Sequence, residues 1–204
     1  MAKRSKQWLQ AQQRDQYVKQ ARQSHYRSRA VFKLRQIDQK EKLFHPGQAV
    51  IDLGAAPGSW SQYVSECINP QGRLIAVDIL AMQALDKVLF IQGDVTETRV
   101  LDACRQELPN AAADLVISDM APNLTGIRAT DQARSMRLAE LVYDFSCDVL
   151  KSGGDMLIKL FQGEGSDAFK KELMQRFQKV IVKKPNASRA GSREFYVLAR
   201  GYEV

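Results

Sequence analysis

Cysteine is scarce in this sequence and never paired. Cys67, Cys104 and Cys147 stand alone with no CxxC among them, and the only histidines, His25 and His45, are far apart. That argues against a disulfide framework and against any metal site, and leaves buried structural thiols as the expectation. Long apolar runs are missing as well: nothing approaches the roughly 18 residues of a membrane span. The opening "MAKRSKQWLQ" moves from basic to polar without an apolar h-region, so the reading is a soluble, cytoplasmic protein. Phosphate-cradling glycines are also lacking. A dinucleotide fingerprint starting at Gly54 needs glycines where the chain has Ala56 and Ser59, Pro57 removes an amide, and no GxxxxGK[ST] occurs. Both NAD and a P-loop nucleotide are thereby disfavoured.

What is present is a basic excess with a definite place. Residues 1–42 hold 12 Lys/Arg against 3 Asp/Glu, while residues 43–204 hold 18 against 20. The chain therefore divides into a basic N-terminal helical extension, 1–42, and an α/β domain, 43–204. Such asymmetry points to a polyanion, most simply a phosphate backbone, with a solvated arm as the alternative. Arg27 and Arg29 and the loop from Lys183 to Arg193 are expected to grip phosphates.

Hydrophobic periodicity predicts helices in "KQWLQAQQRDQYVKQAR" and "SRAVFKLRQIDQKEK", joined by "QSHYR". Next comes the alternation of a doubly wound sheet. Strands are read at 49–53, 73–78, 88–94, 113–119, 155–161, 179–184 and 194–200, with helices near 59–68, 97–107, 130–150 and 166–176. No crossover helix fits between the last two strands, which predicts a hairpin with an antiparallel edge. The sequence shows no repeat and no low-complexity segment.

In such a sheet, ligands sit beyond the carboxyl ends of the strands. Asp52, Asp78, Asp94 and Asp119 all fall at or near strand ends, where each taken singly is equally read as a strand-end or capping residue. Together they would repel a pyrophosphate and suit a cationic ligand rich in hydroxyl and amino donors. S-adenosylmethionine (AdoMet) has that chemistry. Asp78 then takes its ribose diol, Asp94 lies by the adenine amino group, and Gly58 lets the backbone approach. Trp60 either faces the cofactor or packs the first helix.

Base methylation leaves marks that are missing here. "SDMAPN" has no aromatic residue after its proline to stack a flipped base, and no cysteine sits beside a proline as a nucleophile. A hydroxyl acceptor remains, and a ribose 2′-hydroxyl needs a general base as it attacks. Lys159 interrupts the apolar strand "DMLIKLF", either snorkelling at an edge or held in a cleft. Asp119 and Glu194, at neighbouring strand ends, are expected to converge on it. Lys33, within "AVFKL", is a second lysine in an apolar setting, or an exposed helix position.

The stretches "SRAVFKL", "DLGAAPGSW", "SDMAPN", "KLFQGEG" and "SRAGSREFYV" together resemble the heat-shock-induced ribosomal RNA 2′-O-methyltransferase family of bacteria, the large-subunit rRNA (uridine-2′-O-)-methyltransferases. The resemblance runs from about Trp8 to Gly201. It implies a Rossmann-like AdoMet-dependent methyltransferase fold: a seven-stranded, mostly parallel sheet with an antiparallel last strand and an N-terminal helical extension. It also implies a catalytic Lys33, Asp119, Lys159 and Glu194, with Lys159 as proton acceptor, and cofactor contacts at Gly58, Trp60, Asp78, Asp94 and Asp119. The implied substrate is a uridine ribose in the A-loop of 23S rRNA within the large (50S) subunit, modified by a monomer that needs no metal. Ser59 departs from the family's usual second glycine. Two other readings stand beside this one: a tRNA or cap 2′-O-methyltransferase of the same fold, and a non-catalytic RNA-binding assembly factor.

Overall fold

The computed structural model describes residues 15–189 and 191–203. Seven strands form one sheet: β1 (Ala49–Leu53), β2 (Arg73–Asp78), β3 (Val88–Gln92), β4 (Ala113–Ser118), β5 (Leu150–Phe161), β6 (Phe177–Lys183) and β7 (Glu194–Tyr202). The helices are α1 (Gln16–Gln23), α2 (Val31–Glu41), α3 (Ser59–Ile68), α4 (Thr98–Glu107), α5 (Arg128–Val149) and α6 (Ser166–Leu173). Trp8 and Leu9, expected on the face of the first helix, lie outside the described residues.

The strand order is β3-β2-β1-β4-β5-β7-β6. β1 to β5 pair in parallel, so their carboxyl ends share one rim, and the order reverses between β1 and β4. β7 runs antiparallel to both β5 and β6. The expected hairpin is there, and the pairing at this edge of the sheet is antiparallel as expected. The reversed strand β7 inserts between β5 and β6, and the edge strand β6 runs with the rest. This insertion puts Glu194 and Tyr196 directly beside β5.

Both faces are covered, as a parallel sheet requires. On one side α4, α5 and α6 contribute Val100, Phe145 and Leu173 to the core. On the other, α2 and α3 contribute Leu34, Ile37, Trp60 and Val64. Val31, Leu34 and Ile37 are almost wholly buried. At about 1.5–3 kcal/mol for each such side chain, α2 is held to the sheet by its own apolar face. Its end is set by Lys42 in the left-handed region (φ 53) and by Asp38, whose Oδ1 accepts the N–H groups of Leu43 and Phe44. Cys104 is buried as expected, whereas Cys67 and Cys147 are only partly so.

Candidate active site

The rim at the order reversal opens on a cavity of about 480 Å3. Gly54 and Ala56 of the β1–α3 loop, Asp78 at the end of β2, Asp94 after β3 and Asp119 after β4 all line it. Ile79, Leu80, Val95 and Met120 supply apolar walls, and the lining contains no lysine or arginine. This combination disfavours a pyrophosphate and suits a cationic ligand with hydroxyl and amino donors.

Asp78 is already partly used. Its Oδ2 accepts the Ala56 N–H at 2.8 Å and its Oδ1 the Leu80 N–H at 2.8 Å, which aims the carboxylate into the cavity with lone pairs to spare. Asp94 accepts from the Thr96 N–H at 2.9 Å and the Thr96 hydroxyl at 2.8 Å, and these two donors hold its carboxyl below the usual range. It is charged at neutral pH.

Asp52 does not belong to this rim. It sits one residue inside β1, where every residue is buried, and faces α3, so that Ser61 Oγ donates to its Oδ2 at 2.6 Å. Burial pushes its carboxyl up to about 7, against the Ser61 hydrogen bond and with help from the charges of Asp119 and Asp78.

Gly58 and Trp60 are both engaged by the protein itself. Gly58 has φ +105, and a Cβ there would meet Met82 Sδ at 2.7 Å and Arg27 Nη1 at 2.8 Å, so backbone conformation and neighbouring protein atoms already require the glycine. The Trp60 side chain is buried, its Nε1 donates to the Ala30 carbonyl at 2.9 Å, and its ring packs on Tyr196 at 5.9 Å. What Trp60 can offer the cavity is its main-chain N–H, in the first turn of α3, where intrahelical partners are lacking. Ser59 is buried, and its hydroxyl shares a hydrogen bond with Ser28 Oγ at 2.7 Å.

Beside the cavity, four ionisable side chains meet. Lys159 Nζ donates to Asp119 Oδ1 at 3.0 Å and also to the Asp119 carbonyl, with its side chain only 6% exposed. Lys33 Nζ lies 2.8 Å from Glu194 Oε1 and 4.0 Å from Asp119 Oδ1. The result is a chain, Glu194 to Lys33 to Asp119 to Lys159. The expected convergence of both carboxylates on Lys159 is corrected: Asp119 reaches it, and Glu194 pairs with Lys33 instead. The physical reason is that α2 lies over the end of β7 and brings its lysine between them. Lys33 is no exposed helix position, since its side chain is 12% exposed.

Sequence reasoning passed over Tyr196. Its hydroxyl donates to Asp119 Oδ1 at 2.5 Å, and Lys33 Nζ stands 5.9 Å from its ring centre. Burial, then the charges of Asp119 and Glu194, push its phenol well above the usual range. The signal was available: in "EFYV", Tyr196 is two residues from Glu194 and so shares its face of the strand.

Arg27 and Arg29, expected to grip phosphates, are engaged within the protein. Arg27 donates to the carbonyls of Pro57, Gln83 and Ala84. Arg29 pairs with Asp15, donates to the Ala187 carbonyl and stacks over Tyr17. Arg189 and Arg193, in contrast, are exposed on the loop leading into Glu194. Among the described residues no helix is long and apolar enough to cross a membrane, and no cluster of metal-ligating side chains occurs.

The sequence pattern of the FtsJ-like methyltransferases matches residues 26–202. The ribosomal RNA large subunit methyltransferase E of Alkalilimnicola ehrlichii is 52% identical over 198 residues, covering 97% of this chain and 95% of that protein. The protein of the same name from Legionella pneumophila strain Corby is 51% identical over 202 residues, covering 99% and 98%. Among solved structures, a ribosomal RNA methyltransferase from Plasmodium falciparum superposes with a TM-score of 0.79 at 27% identity, covering 87% of this chain and 98% of that one. A chain of the fibrillarin/Nop5p complex, at 17% identity and a TM-score of 0.54 over 76% of this chain and 73% of that one, shares the fold alone.

Proposed function

The chain belongs to the FtsJ-like methyltransferase family, and from that premise we propose that it transfers a methyl group from AdoMet to the 2′-hydroxyl of a uridine in 23S rRNA. In this reading it acts as a cytoplasmic monomer on the A-loop of the large (50S) subunit. The observation that carries the reading is the Glu194, Lys33, Asp119, Lys159 chain set at the edge of an acidic, phosphate-averse cavity.

The cavity's chemistry fits AdoMet. Asp78 has lone pairs for a ribose diol, Asp94 is charged and lines the cavity where it can take the adenine amino group, and the carboxylates favour the sulfonium. The loop at Gly58 is assigned to the amino-acid end, with the Trp60 main-chain N–H as its donor, since the Gly58 N–H donates to the Ala55 carbonyl at 2.7 Å. When bound, AdoMet supplies an electrophilic methyl group.

A ribose hydroxyl must lose its proton as it attacks, and Lys159 is assigned as the acceptor. Asp119 orients it, through its Oδ1 and its main-chain carbonyl. Glu194 keeps Lys33 beside the shared Asp119 oxygen. The basic N-terminal segment and the exposed Arg189 and Arg193 form the RNA-facing side.

The deciding experiment offers labelled AdoMet with naked rRNA, tRNA and purified large subunits in parallel, and maps the modified nucleotide. Label on a 23S uridine ribose is expected. Label confined to tRNA, or no transfer to any of the three, overturns the assignment.

A further inference from the structure

Arg27 lies in the turn between α1 and α2, and its guanidinium is consumed by main-chain carbonyls. Nη1 donates to Pro57 at 3.0 Å and to Gln83 at 2.8 Å, and Nη2 donates to Ala84 at 3.0 Å. These acceptors lie outside the cavity lining, on the continuations of two different loops that line it. Pro57 directly follows Gly54–Ala56, whereas Gln83 and Ala84 follow Ile79 and Leu80.

The 79–87 stretch has no helix or strand of its own, and Ile79 and Leu80 are 65% and 63% exposed. Something outside regular structure has to hold it. Among the described residues, the tie between the two loops in which a site carboxylate takes part is Asp78, through Ala56 and Leu80. That same carboxylate is the one assigned to the ligand. Arg27 makes the second tie from outside, where no ligand competes for it. Its planar fork of donors can reach several carbonyls at once, which a lysine ammonium cannot reproduce. The Gly58 position fits this arrangement, because Arg27 and Met82 occupy the space a side chain would need.

Arg27 is itself fixed. Its N–H donates to Gln62 Oε1 of α3 at 2.8 Å, and the flanking Ser28 bonds Ser59. A few residues on, the same segment enters α2 and delivers Lys33 to Glu194.

We infer that Arg27 is a positioning residue for the cofactor: it clamps the two loops of the cavity mouth into their ligand-binding arrangement and ties them to the segment that carries Lys33. The inference rests on the AdoMet reading above. Arg27 therefore acts on cofactor affinity and not on RNA phosphates.

The test uses full-length wild type, Arg27→Lys and Arg27→Gln. Calorimetry measures S-adenosylhomocysteine binding, thermal unfolding checks the fold, and RNA binding is titrated against salt without cofactor. Both variants are expected to bind S-adenosylhomocysteine roughly tenfold or more weakly, the scale of losing hydrogen bonds to a charged group. RNA affinity and its salt slope stay as in wild type, KM for AdoMet rises, and kcat at saturating AdoMet holds. Should Arg27→Gln unfold, Arg27→Lys decides alone, since it keeps the charge and loses the fork. Wild-type-like binding by Arg27→Lys overturns the inference by itself, as does a loss seen only in RNA binding with a flattened salt slope. A wild type that binds no S-adenosylhomocysteine overturns the cofactor reading and takes the inference with it.

Discussion

Lys159 and Tyr196 stand opposite each other on β5 and β7, and both donate to the same oxygen, Asp119 Oδ1, at 3.0 Å and 2.5 Å. The two donors are not equivalent. Tyr196 is buried and surrounded by carboxylates that push its phenol well up, so it keeps its proton and serves only as a donor. Of the pair, only the lysine is left to accept a proton from substrate.

Lys159→Ala should therefore keep its fold and its S-adenosylhomocysteine affinity while single-turnover methyl transfer falls by roughly 10² to 10⁴. Lys159→Arg should fail as well, because a guanidinium stays protonated near neutral pH. Near wild-type transfer by Lys159→Arg would move the base elsewhere.

Glu194→Ala should act mainly through Lys33. It strips a counter-ion from a lysine that is 12% exposed, and breaking such a pair costs roughly 3 kcal/mol of stability. Transfer should fall less than in Lys159→Ala. In a double-mutant cycle, Lys33→Met and Glu194→Ala should be strongly non-additive; additive stability losses would show the 2.8 Å pair to be energetically idle.

Asp78→Ala removes both a ligand acceptor and the acceptor of the Ala56 and Leu80 N–H groups. Binding of S-adenosylhomocysteine should weaken by roughly 1–3 kcal/mol. An unchanged dissociation constant in calorimetry would take Asp78 out of the site.

The buried Asp52 predicts an unusual pH dependence. Its carboxyl titrates near 7 in the folded protein against 3.8 as the ordinary value, so between these values the folded state binds the extra proton. Stability contributed here falls as pH rises through that window, at most about 1.4 kcal/mol per pH unit, and levels off above it. Asp52→Asn cannot ionise. Its stability relative to wild type, from denaturant unfolding, should rise from pH 4 to 7 and then flatten; a constant difference would show that Asp52 is ionised throughout.

With Arg27 and Arg29 engaged internally, the salt dependence of RNA binding should reside elsewhere. Replacing the exposed Arg189 and Arg193 by alanine should flatten the log-log salt slope by about 1 to 2. An unaltered slope would remove the β6–β7 loop from the RNA-facing side.

Local pattern was enough for much of this protein. The apolar runs of β1 and β2 and the helix after Gly58 are legible at their observed bounds, because burial on both faces writes continuous hydrophobic stretches. Aspartates at the ends of those runs, a poor phosphate loop and a lysine inside an apolar strand pointed to the cavity and to Lys159. Pairing between distant side chains was not legible. The partner of Glu194 depends on β7 inserting between β5 and β6, and on α2 lying across its end. Asp52 looked like a rim residue because one position along a strand turns a side chain from the cavity to the core, and only the packing of α3 and Ser61 decided which. Trp60 and Arg27 were settled the same way, by what the N-terminal segment packs against. Period and composition determine which residues a strand or helix buries; which charge meets which is a property of strand order, and that exists only once the chain has closed on itself.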